Sequence, residues 1–146
     1  MPPPILLIED DENDIIFTQM ALEQAGVTCP LHLARDGRQA RDYITGKGKF
    51  SDRQKYPIPY LVLMDLKLPY VMGLDILKDI RARPEFDSTI VIVLTSSNDP
   101  SDVDAAYRLR ANAYLVKPSG MEALQTLIRG IKEFWLTLNQ RPSAFV

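Results

Sequence analysis

The stretch that decides the fold runs from residue 60 to residue 69 and reads YLVLMDLKLP. Its first five residues are apolar without polar alternation, which is typical of a strand buried on both faces of a sheet. Four further apolar runs predict four more strands: residues 5–8, 31–34, 90–94 and 114–116. The run at 31–34 alternates more between apolar and polar residues, so we expect it to lie nearer a sheet edge.

Segments with helical spacing of apolar residues separate these strands. They predict helices at 11–25, 36–45 and 73–82. A fourth helix begins at Asp99 and Pro100, which are typical of a cap and a first helical position. A fifth helix runs from Ser119 through Leu138, with Ser119 and Glu122 as a capping box. Buried strands that alternate with helices predict an α/β domain, a doubly wound parallel sheet with helices on both faces. Residues 46–60 contain two Gly and two Pro and predict a long surface loop before the third strand.

Length and composition exclude several classes of protein. The 146 residues fit one domain, predicted at 1–139 with a short tail at 140–146 and no output domain. A net charge of −2 without a basic stripe argues against nucleic-acid binding. One Cys and one His cannot build a Cys/His zinc site. No apolar run reaches the roughly 18 residues of a membrane span, so we expect a cytoplasmic protein.

Polar residues follow the buried strands. They are Glu9 and Asp10 after the first, Asp65 after the third, Thr95 at the end of the fourth and Lys117 after the fifth. Because ligands of open α/β sheets bind at the carboxyl ends of the strands, we expect these side chains to meet in one crevice.

The residue types in this crevice indicate phosphoryl chemistry. Carboxylates that converge repel one another, and a hard divalent cation removes that conflict; Mg²⁺ fits better than Ca²⁺ because the protein supplies few ligands. A carboxylate such as Asp65 can also attack phosphorus and form an aspartyl phosphate. Lys117 and Thr95 would then hold the oxygens of the transferred group. The sequence therefore predicts a site that accepts a phosphoryl group.

Four motifs carry a resemblance to a known family. They are LLIEDD at 6–11, LVLMDLKLP at 61–69 with Gly73 following, VLTS at 93–96 and YLVKP at 114–118. Together, in this order and at these separations, they resemble the receiver domain of two-component response regulators over nearly the whole chain. The resemblance implies a flavodoxin-like (βα)5 fold with strand order 2-1-3-4-5.

The resemblance also implies a role for each site residue. Asp65 would be the phosphoacceptor, with Mg²⁺ held by Glu9, Asp10, Asp65 and the backbone carbonyl of Lys67. Thr95 and Lys117 would contact the phosphoryl group, Tyr114 would be the switch aromatic, and the Lys117–Pro118 peptide bond would be cis.

A narrower resemblance concerns the loop at 46–60 and the C-terminal residues Phe134, Trp135 and Leu138. Both look like those of stand-alone regulators associated with bacterial phytochromes. This implies a signalling phosphoacceptor that is phosphorylated by a phytochrome-type sensor histidine kinase. The protein would not be an enzyme that acts on a separate substrate. The resemblance also implies a homodimer through the fourth helix, fifth strand, fifth helix and C-terminal aromatics. For Phe134 and Trp135, packing within their own chain is the competing interpretation.

Two other functions stay open. A receiver-like binding scaffold that is never phosphorylated would share the fold. A phosphatase of the haloacid dehalogenase type also combines a nucleophilic Asp with Thr or Ser and Lys, but it needs a second Asp where Lys67 stands. Glu9 stands where the receiver family more often has Asp, which lengthens one ligand arm. Lys67 and Ser97 occupy positions that tune dephosphorylation in that family.

Overall fold

One five-stranded parallel sheet forms the centre of the protein. The structure, a computed structural model, describes residues 2–146, so Met1, where the predicted domain begins, lies outside it. The strands are β1 (Ile5–Ile8), β2 (Leu31–Ala34), β3 (Leu61–Met64), β4 (Ile90–Thr95) and β5 (Ala113–Val116). Their order is β2-β1-β3-β4-β5, and every neighbouring pair is parallel. The predicted fold class is confirmed.

Five α-helices connect the strands: α1 (Glu12–Gln24), α2 (Gly37–Thr45), α3 (Gly73–Arg81), α4 (Pro100–Arg108) and α5 (Met121–Ile131). Aspartates cap three of them, because the side chains of Asp11, Asp36 and Asp99 accept backbone N–H groups of the first turns of α1, α2 and α4. Pro100 occupies the first turn of α4, as its sequence predicts.

The side chains of each buried strand point alternately to the two faces of the sheet, and the core therefore has two halves. Leu6 and Ile8 of β1 pack with α2, α3 and α4, whereas Ile5 and Leu7 pack with α1 and α5. Successive strand side chains point to opposite faces, so a strand apolar at every position needs helices on both sides. This arrangement leaves the carboxyl ends of the strands as an uncovered edge.

The start and the end of the fifth helix differ from the prediction. Its N-cap is Gly120, which makes no side-chain cap hydrogen bond. Ser119 therefore lies one residue too early to cap, and the predicted capping box is wrong. After Ile131 the chain continues as a π-helix over Lys132–Leu138.

The predicted surface loop at 46–60 is anchored by aromatic side chains. It contains a short 3₁₀ turn at Gly48–Phe50, and Phe50 is buried with its ring centroid 5.0 Å from those of both Tyr43 and Tyr56. Arg53 donates to the carbonyls of Ile44 (3.0 Å) and Tyr56 (3.3 Å). Phe50 and Tyr56 thereby attach the segment to the part of the core that lies against α2, α3 and α4.

Across residues 2–146, no helix has both the length and the apolar character that crossing a bilayer requires.

Candidate functional site

Three acids meet at the carboxyl ends of β1 and β3. Glu9 and Asp10 follow β1 and Asp65 follows β3, and the Asp65 N–H donates to the carbonyl of Ile8 (3.0 Å), which extends the pairing of the two strands. Each acid offers one carboxylate oxygen, and these atoms lie within 4.8 Å of one another. Glu9 and Asp65 are buried and Asp10 is exposed. Such an oxygen cluster suits a hard divalent cation.

The two carboxylate oxygens of Asp65 have different partners. Oδ1 accepts the backbone N–H groups of Leu66 (2.7 Å) and Lys67 (3.3 Å), which fixes the side-chain rotamer. Oδ2 accepts from Nζ of Lys117 at 3.0 Å. The Asp65 side chain is 11% exposed, so it is nearly buried and yet open to an approaching ligand. The role of the Lys67 carbonyl as a metal ligand stays a prediction.

Lys117 lies at the centre of the acidic group. Its Nζ donates to Glu9 Oε2 (2.7 Å), Asp14 Oδ2 (2.8 Å) and Asp65 Oδ2 (3.0 Å). Burial alone would lower the pKa of Lys117, but the hydrogen bonds to Asp14 and Glu9 and the charge of Asp65 outweigh it and hold that pKa above its ordinary value. The ammonium is therefore charged, with a carboxylate for each of its three N–H groups.

Sequence reasoning missed Asp14. This residue lies in the first turn of α1, four positions after Asp10, and its closeness in sequence to the acids that follow β1 was the available signal. The acids directly after β1 drew attention because they end a strand, whereas Asp14 belongs to the next element. The structure places it against the same lysine.

Glu9 contributes a carboxyl whose charge is poorly stabilised in the protein alone. Its Oε1 accepts the N–H groups of Asp10 (3.1 Å) and Asp11 (3.2 Å). Burial raises the pKa of Glu9 to about 7; the hydrogen bond from Lys117 opposes this rise, and the charge of Asp65 adds to it. Four carboxylates and one ammonium thus share this edge of the sheet. The donor set fits a divalent cation because one would offset most of that excess negative charge.

Two glycines let the chain after Asp65 pack closely. Gly73 donates to the Leu66 carbonyl (2.8 Å), and a Cβ there would lie 2.6 Å from Leu66 Cα and overlap the carbonyl of Asp65. Gly37, at the start of α2, donates to the Pro69 carbonyl (3.1 Å), and a Cβ there would lie 2.6 Å from Cβ of Val71. A side chain at either glycine would collide with the segment that follows Asp65, so both glycines allow this segment to keep its position.

Thr95 and Tyr114 are connected through Ser97. Thr95 is fully buried at the end of β4, and its Oγ1 lies 3.5 Å from the Ser97 N–H. The Ser97 carbonyl accepts from the Tyr114 hydroxyl (2.8 Å), and the Ser97 hydroxyl donates to Asp102 of α4 (2.6 Å). Burial raises the pKa of Tyr114. Within residues 2–146, Thr95 makes no side-chain hydrogen bond to the acids, so its predicted contact with a phosphoryl group stays a prediction.

The predicted cis bond is wrong. Every peptide bond between residues 2 and 146, including Lys117–Pro118, is trans. The Lys117 N–H donates to the Thr95 carbonyl (2.7 Å), which continues the β4–β5 pairing one residue past Val116. With this backbone position, Nζ reaches the acids without a cis linkage.

The sequence and the fold both match those of known proteins. Residues 5–129 match the family model of the response regulator receiver domain. The chain belongs to this family.

Individual relatives cover almost the entire chain. Response regulator Rcp1 of Synechocystis sp. is 34% identical over 143 residues, which are 98% of this chain and 95% of Rcp1. The crystal structure of the Mn²⁺-bound form of Rcp1 has a TM-score of 0.87 at 34% identity and covers 97% of this chain and 100% of that one. The crystal structure of the phosphorylated cyanobacterial phytochrome response regulator RcpA has a TM-score of 0.90 at 32% identity, with 98% and 100% coverage. The protein resembles phytochrome-associated response regulators along its length.

Proposed function

We propose that Asp65 accepts a phosphoryl group from a phosphohistidine of a sensor histidine kinase, and that this kinase is of the phytochrome type. The observation that carries the proposal is the contact between Asp65 Oδ2 and the Lys117 ammonium at 3.0 Å, beside the Glu9 and Asp10 carboxylates. A similar protein, RcpA, is described as a phosphorylated phytochrome response regulator, which supports both parts of the proposal.

The proposed transfer forms one bond and breaks another. A carboxylate oxygen of Asp65 attacks phosphorus, the P–N bond to the donor imidazole breaks, and its electron pair stays on the leaving nitrogen. Lys117 holds one phosphoryl oxygen by charge, and the Thr95 hydroxyl donates to another. The Leu66 and Lys67 N–H groups keep the Asp65 carboxylate in one orientation during the attack.

Mg²⁺ completes the proposed site. Glu9, Asp10, Asp65 and the Lys67 carbonyl would hold it, and when bound it supplies positive charge to the phosphoryl oxygens. The clustered carboxylate oxygens within 4.8 Å support a divalent cation, as does the Mn²⁺-bound form of Rcp1. The protein would act only on its own Asp65, as a phosphoacceptor that also loses the group by hydrolysis.

The signal would leave the site through Ser97. A phosphoryl group on Asp65 that draws the Thr95 hydroxyl toward it would change the Thr95–Ser97 contact, and Ser97 holds both Tyr114 and α4. Phosphorylation adds about −1.5 to −2 charges, which is enough to bias a two-state element. The face formed by α4, β5 and α5 would then change its affinity for a partner.

A second copy of the same chain is the proposed partner of that face. Large apolar side chains are exposed on it and on the following π-helix: Tyr107, Val116, Phe134 and Leu138. Exposed apolar patches of this kind mark interaction surfaces. We expect Phe134→Ser to weaken self-association in sedimentation velocity experiments, and Phe17→Ser, at an exposed position of α1, to leave it unchanged. Equal sedimentation of wild type and Phe134→Ser at all concentrations would rule out this interface.

Phosphorylation of Asp65 is tested with acetyl phosphate and Mg²⁺, followed by intact-protein mass spectrometry. We expect one added phosphoryl group in wild type, none in Asp65→Asn, and suppression by a chelator. Asp75→Asn, which removes an exposed acid from the first turn of α3, is the matched control and is labelled like wild type.

Other results would point to the alternatives. Wild type that stays unlabelled with acetyl phosphate and with a purified phytochrome-type kinase indicates a binding scaffold. Continuous turnover of a small phosphate ester indicates a phosphatase. The domain limits of 1–139 with a tail at 140–146 stay a prediction, and so does a cytoplasmic location.

A further inference from the structure

We propose that Asp14 is a positioning residue for phosphoryl transfer, which aims the Lys117 ammonium at the oxygen of Asp65. This inference rests on the proposed function, because it concerns the efficiency of the same reaction. Asp14 lies outside the group of carboxylates that could share a metal ion, namely Glu9, Asp10 and Asp65.

The backbone of Asp14 is fixed before its side chain makes any contact. Its N–H donates to the Asp11 side chain (2.9 Å), which is the N-cap of α1. Asp14 therefore lies in the first, capped turn of a 13-residue helix, and α1 packs against α5 on the far side of the sheet from α2. From this position Asp14 Oδ2 reaches Lys117 Nζ at 2.8 Å.

Two fixed acceptors determine where the third N–H of the ammonium points. A lysine side chain has four rotatable carbon–carbon bonds, so a single contact leaves its terminal nitrogen free to turn. Glu9 and Asp14 together hold Nζ from two elements, the end of β1 and the start of α1. The remaining N–H then points at Asp65 Oδ2 (3.0 Å), where phosphoryl oxygens would arrive. Phosphorylation changes Asp65 but leaves the other two acceptors in place.

An open groove explains why a second acceptor is needed. Asp14 and Lys117 line a groove between α1 and the start of α5, together with Phe17, Pro118 and Met121. Without the Asp14 carboxylate, Nζ has room to turn away from Asp65 into this groove. Small misplacements of a charge-stabilising group are costly, since catalysis depends on its distance from the reacting atoms.

The test measures the rate of Asp65 phosphorylation by acetyl phosphate at a series of Mg²⁺ concentrations. We expect Asp14→Ala to lower the maximal rate about tenfold. The Mg²⁺ concentration that gives half the maximal rate should stay within about twofold of wild type, because Asp14 lies outside the proposed metal ligands. Asp14→Asn keeps a neutral acceptor and should recover part of the rate, since a neutral hydrogen bond is weaker than a charge-assisted one.

Glu12→Ala is the matched control. Glu12 lies in the same turn of α1 and is an exposed acid, but it pairs with Arg35 and has no contact with Lys117. We expect a wild-type rate from this variant. Thermal unfolding of all three variants shows whether each is folded at the assay temperature.

Each other outcome overturns the inference. An unchanged or faster rate in Asp14→Ala means that Asp14 does not aim the lysine or competes with the phosphoryl group. A changed half-saturating Mg²⁺ concentration with an unchanged maximal rate makes Asp14 part of the metal site. Equal losses in Glu12→Ala and Asp14→Ala indicate a general effect of helix charge. Failure of wild type itself to be phosphorylated would instead overturn the proposed function.

Discussion

The two ends of β3 differ in how they satisfy buried polar groups. At the carboxyl end, Asp65 shares a lysine with two further acids, and Glu9 beside it has a pKa raised to about 7. At the amino end, Tyr60 is fully buried, and its hydroxyl donates to the Trp135 carbonyl (2.8 Å) and accepts from the Asn139 amide (3.0 Å). One end carries excess negative charge, and the other has matched neutral partners.

This difference separates a functional end of the sheet from a stabilising end. Crowded carboxylates oppose folding until a cation offsets their charge, which makes that end responsive to ligands. A neutral hydrogen bond contributes about 1 kcal/mol to the free energy of unfolding whether or not a ligand is present. The amino end also holds the C-terminal segment, since the Phe145 ring packs on Tyr60 with centroids 5.4 Å apart.

The largest effect we expect comes from Gly73→Ala at the carboxyl end. The new Cβ would overlap the Asp65 carbonyl and lie 2.6 Å from Leu66 Cα, so the phosphoacceptor loop must move. We expect the free energy of unfolding in urea to fall by about 3 kcal/mol. The rate of Asp65 phosphorylation should fall at least about tenfold, because the carboxylate leaves its position beside Lys117.

Gly130→Ala is the control for Gly73→Ala. Gly130 lies in α5 with nothing within 4 Å of the position of its Cβ, so alanine should stabilise the helix by about 0.5–1 kcal/mol. A Gly73→Ala protein with wild-type stability and rate would show that the close approach at Gly73 does not hold the site together.

The sequence predicted the strands and the strand-end acids well because both depend on local pattern. Each buried run appears within two residues of its predicted place, since strands covered on both faces must be apolar throughout. Residues directly after such strands, such as Asp65, reach one edge in any parallel sheet. These features need no knowledge of which side chains meet.

Features that depend on contacts between distant segments were not predictable. Asp14 belongs to the site only because the end of β5 places Lys117 beside α1, and the two residues are 103 positions apart in sequence. Ser97 gained its role from three partners on different elements. The sequence pattern places Tyr60 in an apolar run, and its hydrogen bond to the Trp135 carbonyl depends on the position of the π-helix, which the pattern does not predict.

A smaller effect, confined to stability, is expected from Tyr60→Phe at the amino end. The variant keeps the ring and its packing on Phe145 but leaves the Trp135 carbonyl and the Asn139 amide without the hydroxyl. We expect the free energy of unfolding to fall by about 1 kcal/mol. Amide hydrogen exchange over residues 132–139 should become faster, because the hydroxyl links this segment to β3.

The rate of Asp65 phosphorylation should not change in Tyr60→Phe, because the two ends of β3 are separated by a strand that is paired on both sides along its length. Tyr56→Phe is the matched control, since the Tyr56 hydroxyl donates to no other group within residues 2–146, and it should leave both stability and exchange near wild type. A Tyr60→Phe protein that is phosphorylated more slowly at equal folded fraction would contradict the separation. In that case the C-terminal segment would act on the acidic site through β3, and the two ends would form one coupled unit.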